Sequence, residues 1–128
     1  MIPPDYVRRY ATAQITSVDQ GRLLLLVLEG GQAFLGRARA ALERNDVAAF
    51  VADVARMQDV LLELAQTLDH ARGGDIASRL AQLYEFMIRH LARANVERSI
   101  ALVDEVLRAY DPIVDAYRQV VTGTGVAA

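Results

Sequence analysis

Apolar residues in this chain recur every three or four positions, with no sustained period-two alternation, which predicts helices along nearly its whole length. The stretch from Asp75 to Asn95 shows this most plainly. Ile76, Leu80, Leu83, Met87, Leu91 and Ala94 fall on one stripe, and Tyr84 and Ile88 widen it. Arg72-Gly73-Gly74 reads as a flexible joint before it, Asp75 as its cap and Asn95 as its stop. An earlier long helix is expected from after Asp19, capped by that carboxylate, to about Arg44, where Asn45-Asp46 breaks it. Asp46 then caps a helix to about Leu68, striped by Val47, Phe50, Val54, Met57, Leu61, Leu64 and Leu68. The last helix starts between Val96 and Arg98. Its seam of Ile100, Val103, Leu107, Tyr110, Val114, Tyr117 and Val121 alternates steps of three and four, as in a left-handed bundle. Pro112 lies inside that seam and predicts a kink near Arg108 to Asp111 rather than a break.

Short joints force each helix to return antiparallel to the one before. The expected fold is therefore all-α: an up-down-up-down four-helix bundle over residues 19–121, with a short capping segment (1–18) and a flexible tail (122–128). Pro3-Pro4 is expected to resist helix at the start of the capping segment.

The first long helix is more apolar than such a bundle requires. Leu23, Val27, Gly30, Phe34, Ala38 and Ala41 form one line, and Leu24, Leu28, Gly31, Leu35 and Leu42 form the adjacent one. Leu26 extends the far edge, so the apolar arc spans roughly 200°, about twice a simple surface stripe. The surplus calls for cover by the N-terminal segment (anchored by Tyr6, Val7, Tyr10 and Ile15), by a second copy, or by another protein. Gly30-Gly31 sharpens the question, because each glycine costs about 1 kcal/mol in mid-helix and close approach of another helix is the usual reason.

At 128 residues the chain is one domain. It is 53% apolar, yet its longest apolar run, Leu23 to Leu28, is far too short to span a membrane. The N-terminus lacks the basic and apolar regions of a secretory signal, so a cytoplasmic location is expected. The net charge of −2 argues against nucleic-acid binding. All 14 basic residues are arginine, which reads as genome composition and excludes lysine chemistry. Neither His70 nor His90 follows a glutamate at ligand spacing, no serine sits in a nucleophile turn, and no glycine pair precedes a phosphate-binding lysine. The expectation is a protein that binds other chains, with no enzymatic activity, cofactor or metal.

Three blocks carry a family resemblance. They are Gly73-Gly74-Asp75-Ile76-Ala77 running through Leu83-Tyr84-Glu85-Phe86-Met87-Ile88-Arg89 to Ala94-Asn95; Tyr10 followed by Leu23-Leu24 and Leu28-Glu29-Gly30; and Asp115-Ala116-Tyr117-Arg118-Gln119-Val120. Together they resemble the flagellin export chaperone family, FliS, over about residues 6–121. The resemblance implies a cytoplasmic helical bundle that wraps the C-terminal segment of flagellin as helices, prevents premature assembly, and docks on the flagellar export gate. It also implies an N-terminal cap over part of the binding surface. On that footing Leu24, Leu28, Gly31 and Leu35 are expected to form one docking line, and Tyr84, Ile88 and Leu91 a second. Tyr10 and Ile15 are the cap that competes for the first, while Leu23, Leu83 and Met87 belong to the core. Leu28→Asp should then weaken binding more than folding. The alternatives are a generic helical interaction module with a different client and a structural homodimer.

Overall fold

Capping side chains set where four of the five helices begin. The computed structural model describes residues 2–123, which form α1 (Pro4–Gln14), α2 (Val18–Glu43), α3 (Val47–Gln66), α4 (His70–Glu97) and α5 (Ile100–Thr122), with no strand among them. Ser17, Asp46, Asp69 and Ser99 each accept a hydrogen bond from the backbone N–H three residues on, at 3.0–3.2 Å. Such a cap contributes about 1 kcal/mol. Asp46 is the cap the sequence suggested. Ser17 takes the role given to Asp19, which lies in the first turn of α2 instead.

Three further expectations change. Pro4 does not resist helix but starts one, because at the first helical position its missing N–H would have no partner anyway. Asn95 does not end α4: the helix runs on to Glu97, and Arg98 closes it in the left-handed conformation (φ 52°). The glycine joint is real but internal. Asp69 caps a turn that begins at His70, and Gly74 breaks it at φ 49°, ψ −121°, which a side chain would resist. Helix α5 passes through Pro112 as one span, and Gly123 ends it at φ 77°. Apart from Thr122 and Gly123, the expected flexible tail lies outside the described residues.

The four long helices form a closed ring: α2 packs on α3 and α5, and α4 also packs on α3 and α5. Glu29–Arg118, Gln32–Asp111 and Arg39–Asp104, at 2.7–2.9 Å, show α2 and α5 running in opposite directions. Helix α1 lies outside the ring, packed on α4 and α5. For that reason α5 buries two faces: the expected Val103, Tyr110, Val114 and Tyr117, and also Leu102, Val106, Ala109, Ile113 and Ala116.

The core is built around phenol rings. Tyr110 crosses from α5 to α2 and donates its OH to the Leu28 carbonyl at 2.7 Å. Tyr117 donates to the buried Gln14 side chain at 2.5 Å, and Gln14 in turn donates to the Thr67 carbonyl at 3.0 Å. Burial pushes the Tyr84, Tyr110 and Tyr117 hydroxyls well above the ordinary tyrosine pKa, so they remain neutral donors at pH 7. Gly31 exists for Tyr110: a Cβ there would overlap the phenol oxygen and come within 3.0 Å of Val60. Gly30 has nothing within 4 Å of its missing Cβ.

The two glycines should therefore respond oppositely to alanine. Gly30→Ala should stabilise the fold by about 1 kcal/mol through helix propensity. Gly31→Ala should destabilise it by roughly 1–3 kcal/mol through overpacking. Urea unfolding of both variants measures the difference, and equal shifts would remove the assigned role of Gly31.

Candidate functional site

The two apolar lines of α2 have different fates. Leu24, Leu28, Gly31, Leu35, Ala38 and Ala41 are buried against the other helices. Leu23 and Leu26 remain 63% and 67% exposed, and Val27, Gly30 and Phe34 are half-covered. Leu23, Leu24 and Val27, with Glu63 and Leu64 of α3 and Thr67 just after it, line an open apolar groove on the α2·α3 edge. It holds about 400 Å3, with Gln14 and Gln20 at the mouth, and the outer line of α2 continues from it through Gly30 and Phe34. At the other end the Arg37 guanidinium lies over the Phe34 ring, 4.9 Å from its centroid. There Asp53, nearly inaccessible, holds Arg56 at 3.1 Å and Arg37 at 3.8 Å.

A second groove follows the α4·α5 edge, across the ring from the first. Leu83 and Phe86 form its floor and connect two hollows of about 380 and 520 Å3. One hollow is bounded by Ile2 and Arg79, the other by Glu105, Arg108 and Ala109. Phe86 stacks on the His90 ring at 4.7 Å, and His90 pairs with Glu105. The hydrogen bond from His90 holds the Glu105 carboxyl below the usual range.

Helix α1 fills the remainder of that edge. Tyr10 sits on Gly73, where any Cβ would collide with its ring, and its OH accepts the Asp69 N–H at 2.7 Å. Arg8 reaches Gln119 of α5 at 3.1 Å. The chain thus runs from Tyr10, at the start of α4, back to Ile2, beside Phe86. The cap accordingly covers part of the α4·α5 edge, and meets α2 at its last residue, where the Gln14 carbonyl accepts from the Gln20 side chain at 3.3 Å beside the mouth of the first groove. The physical reason is the glycine pair: Gly73 provides the flat seat for Tyr10, and Gly74 the bend.

Against this geometry the expected docking residues divide. Leu28, Leu35, Tyr84 and Leu91 are in the core, Gly31 is under Tyr110, and Leu24 shows only its edge in the first groove. Tyr10 is buried in the α1 seat. Ile15 is half-covered and packs near Gly21, and Ile88 is half-covered on α4. Of the residues assigned to the core, Met87 is there, Leu83 is half-covered, and Leu23 is exposed. In the structure Ala38 and Ala41, which stepping by threes and fours reaches from either line, are buried with Leu24, Leu28, Gly31 and Leu35, and the outer line passes from Phe34 to the exposed Arg37. On α4, Ala77, Leu80, Tyr84, Met87, Leu91 and Ala94 alternate three and four without a fault, and all are buried.

Among the described residues no cluster of His, Asp or Glu could hold a metal ion, and no helix is long and apolar enough to cross a membrane.

Residues 3–124 match the family described as Flagellar protein FliS. The chain is 35% identical over 94 residues to the flagellar secretion chaperone FliSB of Pseudomonas aeruginosa, covering 73% of this chain and 75% of that one. It is 32% identical over 111 residues to the flagellar secretion chaperone FliS of Campylobacter jejuni, 87% of each chain. With the protein of the same name from Salmonella typhimurium it shares 29% over 116 residues, 90% of this chain and 86% of the relative.

The burial pattern reverses the expectation for Leu28. Leu28→Asp places an unpaired charge in the core and should abolish cooperative unfolding near the native midpoint. Leu23→Asp should stay within about 0.5 kcal/mol of the parent. Thermal denaturation followed by circular dichroism compares them directly; a well-folded Leu28→Asp would place that side chain at the surface.

Proposed function

This chain belongs to the flagellar protein FliS family, a family of chaperones rather than enzymes, and from that membership we propose that it holds the C-terminal segment of flagellin in the cytoplasm. In this reading α2–α5 act as an antiparallel up-down-up-down four-helix bundle. The disordered client folds as it binds, laying amphipathic helices into grooves. The observation that carries the proposal is the pair of open apolar grooves on opposite edges of the ring of long helices. A client that occupies both must pass around the molecule, which keeps its own apolar faces from meeting other flagellin subunits. Delivery to the flagellar export gate follows as the next step.

The docking roles pass from the buried lines to their neighbours. Leu23, Val27 and Phe34 receive the client on α2, with Leu24 beneath them, and Leu83, Phe86 and Ile88 receive it on α4. Tyr10 holds α1 in place, and Ile15 closes the end of α2.

Adding a flagellin C-terminal peptide to the purified protein should increase helical circular dichroism and give a 1:1 complex by sedimentation. Leu23→Asp should weaken binding roughly tenfold to a hundredfold, the value of one leucine's burial, with the melting temperature nearly unchanged. Because apolar burial dominates, affinity should fall only weakly with salt. A peptide that stays disordered would end the flagellin assignment, and a dimer that ignores the peptide would show the grooves covered by a second copy.

A further inference from the structure

The α2·α3 groove is not electrically uniform, and its polarity bears on how a guest lies in it. On α2 the groove line runs Leu23, Val27, Gly30, Phe34 and then Arg37, about 20 Å or four helical turns. Antiparallel α3 supplies Glu63 beside Leu23 and Val27, and Arg56 with Asp53 beside Arg37. One end therefore carries Glu63, which has no ion-pair partner among the described residues, while Asp19 lies exposed one turn before Leu23. Arg22 is displaced by 100° from Leu23 around α2 and lies off this line. At the other end two guanidiniums share a single carboxylate, Asp53, which is itself nearly inaccessible. Arg37 and Arg56 are each more than half exposed, so that end keeps a surplus positive charge with free N–H donors facing solvent.

The scaffold's own helix dipoles do not decide the matter, since α2 and α3 run in opposite directions and their fields oppose along the groove. The side chains decide. A helix carries partial positive charge at its N-terminus and partial negative charge at its C-terminus. Resting on the helix-in-groove reading above, we infer that the helix seated between α2 and α3 lies parallel to α2, with its N-terminal end at Glu63 and a carboxylate-bearing C-terminal end between Arg37 and Arg56. The open space over Gly30, midway between the charged ends, lets the guest come close at the crossing point.

Two synthetic amphipathic peptides of identical composition test this, one with a glutamate pair in its last turn and one with the pair in its first. The first should bind about threefold to tenfold more tightly at low salt, and the preference should shrink in 0.5 M salt. A nitroxide on that peptide's C-terminus should broaden amide signals of residues near Arg37 and Arg56, not those near Leu23 and Thr67. Arg37→Gln and Arg56→Gln, each leaving Asp53 one arginine, should each reduce the preference without a large change in melting temperature. Equal binding of both peptides, binding of neither, or broadening at the Leu23 end overturns the inferred direction. If the flagellin segment binds in any of those cases, the chaperone reading stands without this polarity. If it fails while the designed peptides discriminate, the polarity stands and the client is wrong.

Discussion

The hydrogen bond from Tyr110 to the Leu28 carbonyl is the contact that orients α2. The ring can reach that carbonyl only across a residue without a Cβ, and Gly31 is that residue. Once Tyr110 is seated there, α2 can no longer rotate about its axis. The line through Leu24, Leu28 and Leu35 faces inward, and the line through Leu23, Val27 and Phe34 is left on the outer edge. An equally apolar helix without this contact would have two rotational settings of similar burial. The phenol therefore selects which of two interchangeable surfaces becomes core and which remains available.

A second set of polar contacts does the same for the N-terminal helix. Gln14 joins the Tyr117 hydroxyl to the Thr67 carbonyl, and Tyr10 accepts from the Asp69 N–H, so α1 is fastened to the α3–α4 joint as well as to α5. The Tyr10, Gln14 and Tyr117 side chains are buried, and leaving one of them without its partner costs about 1–3 kcal/mol. The result is that α1 occupies only its own part of the α4·α5 edge, while the Leu83–Phe86 floor beyond Ile2 stays open.

The helical class and most of the helix positions were legible because they depend on local periodicity and on residues such as Asp46 that act within one turn. Helix ends were less legible. Ser17 and Asp19, or Asp69 and Asp75, are equally good caps on paper, and the choice depends on where the chain must turn back to pack. The two sides of α2 were legible only in part. Apolar count could not separate them, since both lines are apolar through Phe34 and Leu35. Length could not either, since the lines converge on Ala38 and Ala41, and only packing against α5 through Gly31 decides between them. The position of α1 was not legible, because it rests on a seat formed by Gly73 and Gly74, residues that read equally well as a loop.

A single groove of this size is close to energetic balance for a disordered guest. Ordering about fourteen residues costs on the order of 20 kcal/mol in backbone and side-chain entropy. Burying the apolar share of a standard-sized interface returns on the order of 20 kcal/mol. Either groove alone would then hold its guest helix weakly. Two grooves on opposite edges, filled by one continuous chain, change this, because the second helix binds at an effective concentration in the millimolar range set by the linking segment. Under the proposed function such a guest would be held firmly by the pair yet released stepwise, one helix at a time, without opening the core. A carrier that must retain a chain and then hand it over needs both properties, and keeping Tyr84, Met87, Leu28 and Leu35 sealed inside lets it be rigid while its guest is not.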